Sequence, residues 1–284
     1  RSAFFNPPLY TQAGDNYNGE GGNSESTYVN LTADGYLTYD RTFGDHAFSA
    51  MVGGSYENSV SRGSSITGRG FSNAALEDEV VSGADKVITT TSRSQEMLAS
   101  GFTRLNYTYK NRYLFTFTGR ADASSKFAPE NQYGFFPSGA IAWRISEENF
   151  LNMAEWIDEI KIRASMGKTG TQSIGDHMWR TLYSPVSYGD KNALIPTQLG
   201  NEKIKWESTV QKDLGLDFSF MHGRLGGTFG YYHKVTDGTL LNMTPAPSSS
   251  YSTVVFNIAK IRNQGLEFDI HGDFIRKKGF RWTG

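Results

Sequence analysis

Residue types able to do chemistry are present in this chain but are not arranged for it. The five histidines, His46, His177, His222, His233 and His271, stand singly, with no metal-ligand spacing between them. His46 and His222 fall in expected turns, and His233 and His271 near strand ends. Glu77, Asp78 and Glu79 form an acidic run inside a long polar stretch, which reads as a solvated patch rather than an acid/base pair. "GRG" at 68–70 lacks the strand–turn–helix setting of a phosphate loop, and no nucleophile or metalloprotease motif occurs. Three Asn-x-Ser/Thr triplets, at Asn30, Asn106 and Asn242, lie in or beside strands and read as chance. What remains are aromatics in polar stretches. "GDHMWRTLYSPVSYGDKN" carries Trp179, Tyr183 and Tyr188, whose flat faces suit a sugar ring or a peptide side chain. These three are the expected ligand contacts. Tyr251, at the tip of "TPAPSSSYS", reads as structural. No catalytic residue, metal or cofactor is expected.

The elements that position these residues show in a period-two alternation. In "RYLFTFTGRADASSKF", Tyr113, Phe115 and Phe117 share one face, with Leu114, Thr116, Thr118 and Arg120 on the other. Similar stripes run through Val29–Tyr39, Phe48–Tyr56, Leu105–Tyr109, Phe135–Ile145, Ile160–Met166, Leu214–Phe220, Leu225–Tyr231 and Leu266–Ile270. About ten strands follow, each of about 10–15 residues against the usual five or six. Short connections (43–46, 110–111, 146–156, 220–224, 273–279) alternate with long ones (58–96, 122–132, 169–204, 237–255). "SEENFLNMAEW" reads as a brief helical turn capped by Ser146.

Composition supports an all-β chain apolar on one side. The 284 residues include 31 Gly, 15 Tyr, 19 Phe and 5 Trp, with mean hydropathy below zero. The 28 basic and 29 acidic residues nearly cancel, so there is no electrostatic case for nucleic acid. Cysteine is absent, excluding disulfide and thiol chemistry from this span. No apolar run reaches the roughly 18 residues of a membrane helix, and no signal peptide opens the chain.

Short turns at one end, long loops at the other and one apolar face describe a transmembrane antiparallel β-barrel. Arg104, Arg120, Arg144, Lys161, Arg163, Asp217, Glu267 and Asp269 then face a wet lumen, and the aromatic stripes face lipid. Lys212 alone breaks the stripes, toward a loop end where it can snorkel or where a bulge can shift the phase.

Several blocks resemble the SusC/RagA-type TonB-dependent outer-membrane transporters of Bacteroidetes. They are "NRYLFTFTGRADASSKFAPENQYGFFPSGAIAWRISEENFL", "WIDEIKIRASMGKTGTQSIG", "KIKWESTVQKDLGLDFSFMHGRLGGTFGYYHKVTDGTLL" and "SSSYSTVVFNIAKIRNQGLEFDI". The resemblance covers most of 100–272; residues 1–99 fit the preceding hairpins by pattern alone. It implies a plugged barrel of about 22 strands, a TonB-contacting segment, and a SusD-like lipoprotein on the extracellular loops. Function would be energy-coupled import of glycans or oligopeptides; a passive porin or a surface adhesin is the alternative. No plug or TonB-contacting segment is found, and "GFRWTG" stops within an alternating strand. Residues 1–284 therefore read as a partial barrel domain, an internal piece of a longer chain.

Overall fold

The computed structural model describes residues 2–6, 19–71, 81, 83–151, 156–188, 191–249, 251, 253–277 and 280–284. Among these residues there are thirteen strands: β1 (Ser2–Asn6), β2 (Glu20–Phe43), β3 (His46–Phe71), β4 (Ala84–Tyr109), β5 (Tyr113–Ser124), β6 (Tyr133–Arg144), β7 (Ile157–Thr171), β8 (Leu182–Tyr188), β9 (Lys191–Gln198), β10 (Glu207–Phe220), β11 (Leu225–Met243), β12 (Val254–Lys277) and β13 (Phe280–Thr283). Eleven form one sheet in the order β1–β7, β10–β13, and β8 and β9 form a separate hairpin. The strand pairings described are antiparallel throughout. Sheet order thus follows chain order, with the hairpin inserted between β7 and β10.

The eleven strands of the main sheet agree with the expected count of about ten, the small hairpin being additional, whereas the loop bounds need correction. The 58–96 connection is mostly strand, since β3 runs to Phe71 and β4 starts at Ala84. "NSVSRGSSITGRG" is polar at both phases, so a search keyed to one apolar face passes over it. Backbone ladders form regardless of side-chain polarity. The remaining connections narrow to 125–132, 172–206 and 244–253. At 145–147 the turn is a single 3-10 turn with Arg144 before it and no side-chain cap, so Ser146 is not a cap.

The chain falls into two compact units, residues 1–32 with 57–97 and residues 33–56 with 98–284. In the first, β1 pairs with the start of β2 (Ser2 opposite Ser24), and the Phe5 and Phe71 rings meet edge to face at 5.5 Å. Glycine is required at positions 21 and 22, where a Cβ would stand 2.8 Å from the Phe5 ring and 2.7 Å from the Ile66 carbonyl. Polar side chains bridge strands here: Tyr28 donates to Ser59, Ser59 to Asn30, and Gln95 to Asn58.

In the second unit, register shows how the two faces are sorted. Tyr113 lies opposite Trp143, Trp143 opposite Ile162, Ile162 opposite Leu216, Leu216 opposite Phe229, and Phe229 opposite Phe268. One row toward the long loops runs Phe115, Ile141, Ala164, Leu214, Tyr231, Leu266. These rows are apolar and exposed; Leu266 is 68% accessible and Phe115 47%. Such a surface is stable only against lipid or other apolar cover.

At the short-turn end the apolar face closes in a ladder of rings. Phe43 stacks on His46 at 5.3 Å, His46 meets Tyr109 at 4.9 Å, Tyr109 stacks on Tyr113 at 6.3 Å, and Tyr113 on Trp143 at 6.4 Å. Glu148, in the turn between β6 and β7, receives the Tyr113 hydroxyl (2.7 Å), the Trp143 indole N–H (3.1 Å) and Arg112 Nη1 (3.0 Å). One carboxylate thus ties the turn to two girdle rings, each with its polar tip satisfied.

Candidate functional site

The opposite face of the second unit is polar. Asp217 accepts from Arg163 Nε at 3.1 Å and pairs with Lys161 Nζ at 2.9 Å; Glu159 lies 3.6 Å from Lys161 and 3.7 Å from Arg144. Register puts Arg144 opposite Lys161, and Lys161 opposite Asp217, so two cations stand side by side across β6 and β7, with Asp217 and Glu159 to balance them. Nearer the long loops Arg120 donates from Nε to Asp122 at 2.7 Å and from Nη2 to Ser100 at 2.8 Å. Arg104, Glu267 and Asp269 share this face by register. A wall of charges, several of them paired, can line water or meet a polar body.

Beyond this wall the long connections fold onto one another. Phe127, Phe136, Ile204, Trp206 and Val255 form a buried cluster, with Leu98, Ile174, Met178 and Leu240 packed against it. Its members come from the 125–132 and 172–206 connections and from β6 and β12. Trp206 donates its indole N–H to the Gln132 carbonyl at 2.9 Å, and its ring meets Phe127 at 5.0 Å and Phe136 at 5.4 Å. Phe136 lies so close over β7 that a Cβ on Gly170 would come 2.0 Å from its ring; on Gly134 the distance would be 2.4 Å. Only glycine fits either position. Asn131 donates to the Glu202 carbonyl, Asn201 to the Val255 carbonyl, and Asn257 to the carbonyls of Lys205 and Gly238. Each loop satisfies another loop's backbone, so the cluster makes a defined platform.

The three expected ligand contacts lie around this platform without sharing a surface. Trp179, half-buried, carries the Arg180 guanidinium 4.5 Å from its ring centre, and its indole nitrogen is buried without a hydrogen-bond partner among the described residues. Tyr183 and Tyr188 sit on β8, exposed by 58% and 82%. Five positions apart on a strand, they point to opposite faces about 16 Å apart. Tyr183 and Tyr251 lie near enough to interact; burial first, then Tyr183, pushes the Tyr251 phenol above its ordinary value.

Sequence reasoning missed Phe136 and Trp206. The stripe through β6 selects Phe135, which is exposed, whereas its neighbour is buried. The available signal was the bracketing of "GFF" by Gly134 and the isolated Trp in "KIKWES". The histidines stay apart. His46 Nδ1 lies 2.7 Å from the Tyr107 hydroxyl, and His271 Nδ1 is 3.2 Å from Asp269. His177 and His222 occupy left-handed turn positions. Among the described residues no group of three or more His, Asp or Glu could hold a metal. Glu77, Asp78 and Glu79 lie outside the described residues.

Comparison with known proteins fits this architecture. The family model described as TonB dependent receptor-like, beta-barrel, matches residues 1–284. TonB-dependent receptor P3 of Formosa agariphila is 37% identical over 276 residues, 93% of this chain and 27% of the relative. TonB-dependent receptor SusC of Bacteroides thetaiotaomicron is 36% identical over 280 residues, 95% of this chain and 27% of the relative. The chain thus spans about a quarter of the length of these relatives. The RagAB peptide importer in its closed-closed state superposes with a TM-score of 0.85 at 21% identity, over 93% of this chain and 30% of that one. A ferric enterobactin receptor of Pseudomonas aeruginosa does so with a TM-score of 0.57 at 14% identity, over 93% of this chain and 39% of that one, a likeness of fold alone. With a lipid-suited outer face, a charged inner face and a family match over its whole length, this chain belongs to the TonB-dependent receptor-like β-barrels of the bacterial outer membrane.

Proposed function

We propose that the chain is a wall segment of a receptor that imports oligomeric nutrients, glycans or oligopeptides, with energy delivered through TonB. The observation that carries this reading is the 36% identity to SusC over 95% of the chain. The printed description of RagAB as a peptide importer keeps peptides beside glycans as solutes. In this reading residues 1–284 are a partial barrel domain, and the plug and the TonB-contacting segment belong to other parts of the full-length protein.

The long-loop end faces outward from the cell. Its fixed platform supports the docking of a SusD-like lipoprotein, because loops held by the Trp206 cluster need little ordering when a partner binds. Trp179, Tyr183 and Tyr188 are the proposed solute contacts. They act at separate points along an extended oligomer, since Tyr183 and Tyr188 point to opposite faces of β8. No catalytic role is assigned.

Uptake of fluorescent oligopeptides and oligoglycans by cells with and without the receptor gene tests this reading. Receptor-dependent uptake of either class that stops on adding an uncoupler is expected. Receptor-dependent uptake that survives the uncoupler would make the barrel a passive pore.

A further inference from the structure

β4 has a neighbouring strand on each side, yet one of its edges is paired over only half its length. Pairing with β5 runs from Leu98 opposite Ser124 to Tyr109 opposite Tyr113. β5 ends at Ser124, so among the described residues 84–95 has no strand beside it on that edge and is held by β3 alone. The open stretch lies on the long-loop side of the paired one and runs about 40 Å along the strand. Its side chains lean toward β3. Gln95 donates to Asn58, Arg93 donates to Gln95, and the Ser92 hydroxyl lies where a Cβ on Gly63 would come within 2.7 Å of it.

An edge of this length is usually blunted by proline, charge or a bulge. The small hairpin shows the first device: β8 carries Pro185 and β9 Pro196, and each removes a donor. The open part of β4 has neither proline nor glycine. Between Lys86 and Arg93 it reads "VITTTS", six uncharged residues of which five are β-branched. Val87 is 49% accessible, and 89–92 are exposed. High strand propensity without charge, proline or glycine is the composition of a segment that accepts another strand. Alternate residues turn both main-chain groups to the same side, so six residues of edge present about three N–H donors and three carbonyl acceptors.

We propose that residues 87–92 hold an extended oligopeptide by adding it to the sheet as a further strand. Main-chain pairing of this kind accepts peptides of varied sequence, because the side chains alternate above and below the ladder. A glycan has no main chain of alternating donors and acceptors to match. About six hydrogen bonds suit a cargo that must be released, whereas a permanent protein partner needs the larger buried area of a stable interface. Asp85, Lys86, Arg93 and Glu96 cancel in charge, so the edge favours neither acidic nor basic sequences. The inference deepens the import reading by naming peptide as the solute of this strand, and it rests on that reading in calling the bound peptide cargo.

The test uses the full-length receptor in detergent and a fluorescein-labelled hexapeptide of alternating threonine and valine, with binding read by fluorescence anisotropy. Methylating alternate main-chain nitrogens leaves one edge of the peptide intact and should leave its affinity unchanged, whereas methylating every nitrogen should abolish binding. Thr89 and Thr90 are adjacent, so their N–H groups point to opposite edges of β4. Of Thr89→Pro and Thr90→Pro, one therefore removes a bond to β3 and the other only a donor of the open edge, where proline is tolerated. The variant that keeps native heat-modifiable mobility is expected to bind the peptide about tenfold more weakly, the loss of one main-chain hydrogen bond. Thr89→Val and Thr90→Val keep the main chain and are expected to bind as the native receptor does. Equal binding of the unmethylated and fully methylated peptides would overturn the proposal. So would native-level binding by the folded Pro variant, or loss of binding in the Val variants. Exclusion of the peptide by a copurified lipoprotein, or by a second receptor copy as concentration rises, would also overturn it by giving the edge to that protein. Binding is read without transport, so a peptide that pairs with the edge but is not taken up counts against import and leaves this inference standing.

Discussion

Trp206 reaches from the end of a 35-residue connection to donate its indole N–H to the Gln132 carbonyl, 74 positions away in sequence, at 2.9 Å. The same ring fills the space between Phe127 and Phe136. Trp206→Ala is expected to cost about 3–5 kcal/mol of local stability, and Trp206→Phe about 1 kcal/mol for the lost hydrogen bond. Hydrogen exchange of the 125–132 and 199–206 amides in the full-length receptor checks this. Unchanged protection in Trp206→Ala would mean that the loops are held by something else.

Gly170 tests the same cluster from β7. A methyl group there would meet the Phe136 ring, which is buried and cannot withdraw freely. Gly170→Ala is expected to destabilise the platform by about 1–3 kcal/mol. Adding Phe136→Leu should restore part of that loss, because the shorter side chain vacates the space. Thermal unfolding of the single and double variants measures the coupling.

Glu148 gives the short-turn end a dependence on acid. Hydrogen bonds from Tyr113 first and Trp143 next hold its carboxyl below its ordinary value, with Arg112 adding attraction and desolvation opposing. A carboxyl lowered on folding contributes stability that is fully present above its unfolded value, near 4.5, and is lost as pH falls through the lower folded value. Exchange of the 145–151 turn should therefore be slow at neutral pH and accelerate only in acid below that value. Glu148→Gln should remove the acid dependence and speed exchange at neutral pH; an unaltered pH profile in this variant would exclude the carboxylate as its source.

The two faces of β5 make opposite forecasts for one substitution. Phe115→Arg puts a charge on the apolar face and is expected to cost about 2–4 kcal/mol if it lies near the membrane midplane. Thr116→Arg, one residue on, projects to the polar face and should cost far less. Yield of folded receptor in the outer membrane, read by heat-modifiable gel mobility, separates them.

Much of this architecture can be read in the sequence. Two-residue alternation in Tyr113, Phe115 and Phe117, or in Leu214, Leu216 and Phe218, marks strands with one apolar face, and register then assembles those stripes into rows. The segment 58–71 was illegible because its ladder carries no apolar face to detect. The Trp206 cluster was illegible for another reason. It joins residues from four distant stretches, so neither Phe127 nor Ile204 carries a local period, and only the glycines under Phe136 hint at close packing. Trp179, Tyr183 and Tyr188 are conspicuous as residue types, but strand alternation sends the two tyrosines to different faces, a separation visible only once β8 is known to be a strand. Lys212 is the instructive case. The sequence left snorkelling and a phase-shifting bulge both open, and the unbroken register keeps it on the outward face.

The central claim is that alternate residues of these strands face lipid and lumen. No cysteine occurs in this span, so single cysteines at positions 113–118 of the full-length receptor, freed of any other cysteine, can carry a nitroxide in lipid bilayers. The account predicts that labels at 113, 115 and 117 are relaxed by oxygen dissolved in the bilayer, whereas labels at 114, 116 and 118 are not. Uniform oxygen accessibility along all six positions, or the inverse alternation, would contradict it.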